Sequence, residues 1–280
     1  MRNKPNWKAK EPVLMKRRRG PDSIFRQTAA HGVRLLSLFL AVVSAGFCLP
    51  LQTEFQEPWK EQTKAIVLDP YQSNAIDWEQ VATDTRVVAI IHRATVGLSK
   101  VDTKYNERKS EALTRGYKWG SYHLGKNSDP IKQADFYLAT VSPGEDEVLA
   151  LDIESFDPAN ANFMSIDKAR SFIKRIKEKT GRYPLVYGNH AVINAISSKA
   201  GTDGVFSNTP LWYARFRKTV PNFPQGTWKS YTLWQFSSEI NCAKETESNC
   251  LYRVPGTLTD MDVNVFNGTV DELKAKWPFK

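Results

Sequence analysis

Four acidic residues in this chain stand where an apolar run meets polar sequence. The run Val148-Leu149-Ala150-Leu151 passes directly into Asp152 and Glu154, two acids one residue apart. Side chains alternate along a strand, so residues i and i+2 share a face. Carboxyls paired on one face repel each other and lose hydration, a cost that a strand built for stability alone avoids. Asp69 closes a second apolar run, "AIVLD", and Asp262 stands at a third, "MDVNVF". No phosphate-cradling glycine loop, metal-spaced histidine cluster or Ser-His-Asp order accompanies them. Acids without metal ligands or a nucleophilic serine suit glycosidic chemistry, in which two carboxyl groups carry out the reaction. No metal and no cofactor is expected.

Such acids need a scaffold that gathers strand ends. Short apolar runs with β-branched residues at 65–69, 87–94, 119–124 and 148–154 read as buried strands. Helical patterns at 102–116, 129–141 and 165–181 lie between or after them, with Gly116 and Gly181 as stop signals and Ser165 as a cap. "PLVYG", "HAVINAISSKA", "PLWYARF", "YTLWQFS" and "MDVNVF" continue the series. Strands alternating with helices predict a parallel sheet with crossover helices, an α/β fold. About eight strand candidates favour a closed barrel, and its final third lacks a clear helical period. Active residues of a parallel barrel cluster at the C-terminal strand ends. Those ends are Asp69, Arg93, His123, Asp152, Glu154, Tyr187, Arg215, Gln235 and Asp262. Tyr71, Trp78, Tyr122, Trp212, Tyr213 and Trp234 are aromatics near them, which stack on sugar faces or fill the core. Arg93 and Arg215 read alternatively as neutralising cations, and His123 as a core histidine.

The 280-residue chain carries a formal charge of +9, but unevenly. Residues 1–45 hold ten Lys or Arg against two acids, which leaves 29 against 28 elsewhere. A nucleic-acid-binding domain clusters its basic residues on the folded part, so no nucleic-acid partner is expected. The basic stretch precedes the apolar run "LLSLFLAVVSAGFCLPL" at 35–51. That pattern predicts an export signal, with Val43-Ser44-Ala45 as a cleavage site, or an uncleaved membrane anchor. Met15 is an alternative start, and Phe47 before Cys48 is unsuited to lipidation. Residues 1–50 are thus the signal or anchor segment, 51–64 a linker and 65–280 the catalytic barrel. In an exported protein Cys242 and Cys250 are expected to form a disulfide.

Residues 66–268 resemble glycoside hydrolase family 25, the lysozymes that act as N-acetylmuramidases. "LDPYQSNAIDWEQV", "IIHRATVG", "GSYHL", "LDIE", "TGRYPLVYGN", "PLWYARF", "LWQFS" and "MDVNVFNG" are similar to that family's strand motifs and occur in its order. The resemblance implies a TIM-like barrel, irregular (β/α)5(β)3, as a single domain after the N-terminal segment. It implies a retaining muramidase that cuts peptidoglycan between N-acetylmuramic acid and N-acetylglucosamine. Glu154 matches the general acid, and Asp152, Asp262 and Asp69 match the family's other acids. One of them acts as a nucleophile, or orients the substrate's acetamido group. Tyr71, Arg93, His123, Tyr187, Trp212 and Gln235 are candidate substrate contacts, and Asp77 a structural cap. Pro70 and Val96 depart from the family's usual residues, at positions flanking the cleft. Peptidoglycan strands are the expected partner, outside the cytoplasm, for a monomer. Competing readings are a non-catalytic glycan-binding barrel and a hydrolase of another N-acetylhexosamine polymer such as chitin.

Overall fold

The computed structural model describes residues 55–200, 203–242 and 250–279. The basic region and the apolar run at 35–51 lie outside the described residues. Eight strands form the barrel wall: β1 (Lys64–Leu68), β2 (Val87–Val96), β3 (Lys118–Leu124), β4 (Val148–Ile153), β5 (Leu185–Asn189), β6 (Leu211–Ala214), β7 (Leu233–Ser237) and β8 (Val263–Thr269). They pair in the order β1-β8-β7-β6-β5-β4-β3-β2, and β1 pairs back onto β2. Closure leaves no long unpaired edge to seek another chain. The first seven strands run parallel, whereas β8 runs antiparallel to both its neighbours.

Five helices follow the first five strands: α1 (Trp78–Val81), α2 (Tyr105–Thr114), α3 (Pro130–Val141), α4 (Ile166–Thr180) and α5 (His190–Lys199). Their ends are set by local chemistry. Asp77 Oδ1 accepts from the amides of Glu79 and Gln80, both at 3.1 Å, and so caps α1 as expected;. Ser165 caps α4 through the amide of Lys168, and α4 stops at Gly181, whose φ of 73° suits glycine;. After β7 the described residues hold the four-residue α6 (Glu239–Cys242), and after β8 the short α7 (Val270–Lys276). The architecture is therefore the irregular (β/α)5(β)3 barrel.

Without crossover helices, the outer faces of β6 and β7 need another cover. Aromatic side chains supply it. Trp59, on a 3-10 turn at Pro58–Lys60, stacks on Phe236 with ring centroids 4.0 Å apart and meets Trp234 edge-on at 5.2 Å. Phe55 packs against Phe223 at 5.1 Å and Tyr231 at 4.6 Å. A two-residue strand, Phe55–Gln56, pairs with Thr219–Val220 and fixes this strap. The linker boundary therefore moves. Residues 55–64 belong to the barrel, because Trp59 is 2% exposed in its core.

Strand parity divides the core in two. Ile66, Leu68, Ile90, Leu149, Leu151, Ile153 and Val186 face the surrounding layer, while Ala65, Val67, Ala89, Ile91, Val148, Ala150, Leu185 and Trp212 fill the barrel. The interior parity on β4 runs 148, 150, 152 and then 154. Its apolar filling therefore gives way to Asp152 and Glu154 at the rim. Asp69 continues the interior parity of Ala65 and Val67. The Cys242–Cys250 disulfide forms as expected, and among the described residues no helix is long and apolar enough to cross a membrane.

Candidate active site

Asp69, Asp152, Glu154 and Asp262 meet in one cavity of about 40 Å³, which Tyr122, Tyr187, Trp212 and Gln235 also line. Three of the acids arrive by a simple rule, as the last interior positions of parallel strands. Asp262 does not. It precedes β8, which runs the opposite way, so it reaches the same rim from the strand's start. Its expected place at a C-terminal strand end is therefore corrected. The amide of Asp69 donates to the carbonyl of Asp262 at 3.3 Å and ties these two strand ends together.

A polar floor holds Asp69. Gln235 Nε2 donates to Asp69 Oδ2 at 2.7 Å, and the amide of Asn264 donates to Asp69 Oδ1. Tyr187 donates its hydroxyl to Gln235 Oε1 at 2.7 Å, and Trp212 Nε1 donates to Asn264 Oδ1 at 2.6 Å. Each amide is thereby oriented by an aromatic donor behind it, leaving its NH₂ group for Asp69. Asn264 is absent from the sequence-derived candidates, although it lies two residues after Asp262 and so shares its face. Trp212 is 1% exposed and makes edge contacts with Tyr122 and Tyr187 at 5.9 and 5.1 Å. It is a floor residue rather than an open stacking platform.

Burial drives the acids toward their neutral forms. Asp69 and Asp152, 3% and 4% exposed, are both raised well above the ordinary 3.8. For Asp69 the charge of Asp262 adds to burial, while the Asn264 and Gln235 bonds oppose it. For Asp152 the charge of Glu154 adds and Arg93 opposes. Asp262 is pushed up to about 8 by burial and then by the charges of Glu154, Glu239 and Asp260. Glu154 is also raised by burial, but a hydrogen bond from Asp152 and the charge of Lys126 hold it back. Both carboxyls of the dyad are therefore held toward their protonated forms. Asp152 Oδ1 has no hydrogen-bond partner among the described residues. A buried unpaired polar atom costs about 1–3 kcal/mol, which argues against a purely structural role for this pair.

The remaining candidates divide. Arg93 stands on the wall: its guanidinium lies 4.6 Å from the Tyr71 ring and pairs with Asp102 at 3.2 Å. Its charge still reaches Asp152. The carbonyl of Pro70 accepts from the amide of Arg93 at 3.0 Å, a main-chain bond that does not depend on the residue type at that position. His123 is not in the cleft. It follows the inward Tyr122 by one residue and so points outward, fully buried against Phe172 and Tyr137. Thr95 Oγ1 lies 2.7 Å from its Nδ1 and Gln133 Oε1 lies 3.1 Å from its Nε2. Burial pushes its pKa down to about 4, and its substrate role is withdrawn. Tyr213 and Trp234 likewise face outward. No cluster of three or more His, Cys, Asp or Glu fit to hold a metal occurs among the described residues.

Comparison with known sequences finds that the model of glycosyl hydrolases family 25 matches residues 68–244. The chain belongs to that family. The match ends before β8, so Asp262 joins the family 25 site here by geometry. Among relatives, an uncharacterized protein, YegX, of Escherichia coli K12 is 27% identical over 206 residues, covering 71% of this chain and 68% of its own. The N,O-diacetylmuramidase of Arthroderma benhamiae is 24% identical over 250 residues, covering 85% and 97%. Among solved structures, the bacterial lysozyme of Streptomyces coelicolor superposes with a TM-score of 0.62 at 24% identity, over 77% of this chain and 97% of its own. A family 25 lysozyme of Aspergillus fumigatus gives 0.61 at 23%, over 76% and 98%. At these identities the structural likeness establishes the fold.

Proposed function

We propose that this family 25 protein is a muramidase, which hydrolyses the β-1,4 bond from N-acetylmuramic acid to N-acetylglucosamine in peptidoglycan. The carrying observation is the convergence of Asp69, Asp152, Glu154 and Asp262 on one cavity. Glu154, raised by burial, protonates the leaving oxygen as general acid. Asp152 stands beside it, two residues back on the same face. Asp262 and Asp152 serve the second carboxyl role, by attack at the anomeric carbon or by orienting the acetamido group of the substrate. Asp69, held by Gln235 and Asn264, positions the sugar. Diacetylmuramidase and lysozyme relatives support this substrate class. Residues 1–50 export the chain, as a signal or as an anchor through 35–51, to the compartment where the wall lies.

Glu154→Gln keeps the side chain's shape and removes its acid. Reducing ends released from purified peptidoglycan should fall by at least about 100-fold, the typical contribution of a general acid. Wild-type activity in this variant would exclude the role. Mass analysis of the products separates muramidase from chitinase-like cleavage, since only the former leaves muramic acid at the reducing end.

A further inference from the structure

The cavity accounts for the glycan, but a peptide stem hangs from each muramic acid and carries free carboxylates. A stem carboxylate needs a cation beside the rim, and most arginines of the barrel are already engaged. Arg86, Arg93, Arg115, Arg170 and Arg175 meet carboxylates. Arg108 and Arg182 donate to backbone carbonyls. Arg215, Arg217 and Arg253 form no ion pair among the described residues, so Arg215 does not pair with an acid, contrary to the reading of it as a neutralising cation; of the three, Arg215 and Arg217 follow β6 at the rim.

Their backbone is fixed to the wall of the site. The amide of Arg215 donates to the carbonyl of Gln235 at 2.9 Å, and Trp234 Nε1 donates to the carbonyl of Arg215 at 2.8 Å. The amide of Arg217 turns back onto the carbonyl of Arg215 at 2.9 Å, so both arginines leave a single three-residue turn;. Ala214, which precedes the turn, pairs in register with Asn189 at the end of β5. His190 opens α5, and its Nδ1 lies 2.7 Å from the Tyr213 hydroxyl. The preceding Asn189 donates from Nδ2 to the carbonyl of Glu154 at 3.2 Å. The turn thus flanks the side of the cleft that carries the general acid. Neighbouring acids leave it free: the Glu57 carboxylate is held by Lys60 at 2.9 Å.

On the muramidase reading, we infer that the Arg215–Arg217 turn binds a carboxylate of the peptide stem and so selects peptide-bearing, anionic peptidoglycan. A guanidinium presents paired donors that match a carboxylate. Two contacts of this kind, from half-buried Arg215 and exposed Arg217, add up to roughly tenfold in affinity.

The test compares native peptidoglycan with the same material after its stem carboxylates have been amidated, which removes charge but keeps glycan and peptide. Wild-type protein should show KM about tenfold higher on the amidated wall with kcat little changed. The double variant Arg215→Gln/Arg217→Gln should treat both substrates alike. Arg217→Glu, at an exposed position, should reverse the preference and carries the test if the double variant melts early. Equal KM values for wild type on both walls would overturn the inference. So would a variant that keeps the wild-type preference. Failure of wild type to release muramic acid reducing ends from either wall would instead sink the muramidase reading, and the inference with it.

Discussion

Replacing Asp262 by Asn should stabilise the fold while destroying activity, and the gain should depend on pH. Asp262 titrates at about 8 in the folded protein against 3.8 ordinarily, chiefly through burial. Below about pH 3.8 the carboxyl is protonated folded or unfolded and its contribution to stability is at its fullest. Between that pH and about 8 the unfolded chain releases the proton while the folded barrel retains it, so stability falls as pH rises. Above the folded value the loss is complete. At neutral pH the ceiling on this loss is about 4 kcal/mol at 1.36 kcal/mol per unit. Water reaching the cavity and relaxation of the rim reduce it to about 1–3 kcal/mol. Asn has no charge to desolvate, and its amide opens onto the same wet cavity. For a barrel of this size about 2 kcal/mol corresponds to a Tm increase of roughly 4–8 °C. Thermal melts of both proteins from pH 4 to 8.5 give the assay: the gap should be near zero at pH 4 and widen to about pH 8. A gap independent of pH, or a variant less stable than wild type at neutrality, would refute the electrostatic reasoning.

The other predictions are more direct. Burial raises Glu154 above 4.5, so the alkaline limb of kcat/KM should lie above that value; a limb at or below about 4.5 removes Glu154 as the acid. Trp59→Ala opens the aromatic cover over β7 and should cost about 3–5 kcal/mol in urea unfolding. A loss under about 1 kcal/mol would mean that the strap is not part of the core.

The scaffold was largely legible because its signals are local. Apolar runs, a serine cap and two stop glycines mark β1 to β5 with α2 to α4 nearly to the residue, since each element's backbone demands are met by neighbours in sequence. What escaped depends on partners far away. Nothing between 262 and 269 states that β8 runs antiparallel; that follows from closing against β1 and β7. Nothing in "PWKE" states that Trp59 covers strands some 175 residues later, because the need arises only where crossover helices are missing. His123 was misplaced for a different reason. It ends its strand as the acids do, but the outward parity that excludes it, and the inward parity that admits Tyr122, were already readable from Ser121 and Tyr122 beside it. Parity would equally have found Asn264 from Asp262.

Parity also explains how the barrel tolerates its own site. The two-residue alternation sends aliphatic and aromatic side chains outward all the way to the rim, at Leu68, Ile153 and Phe236. The outer core therefore continues unbroken beneath the acids. Only the inward file changes from apolar to carboxyl, and it does so at the rim ends of β1, β4 and β8. Desolvation penalties are thus confined to one layer of four side chains, one of them held by paired amide donors. A fold with its acids spread along the strands would lose packing on both faces at once. Confinement to the final layer lets the cost of charge burial stay local, where it raises the pKa of the group that must deliver a proton.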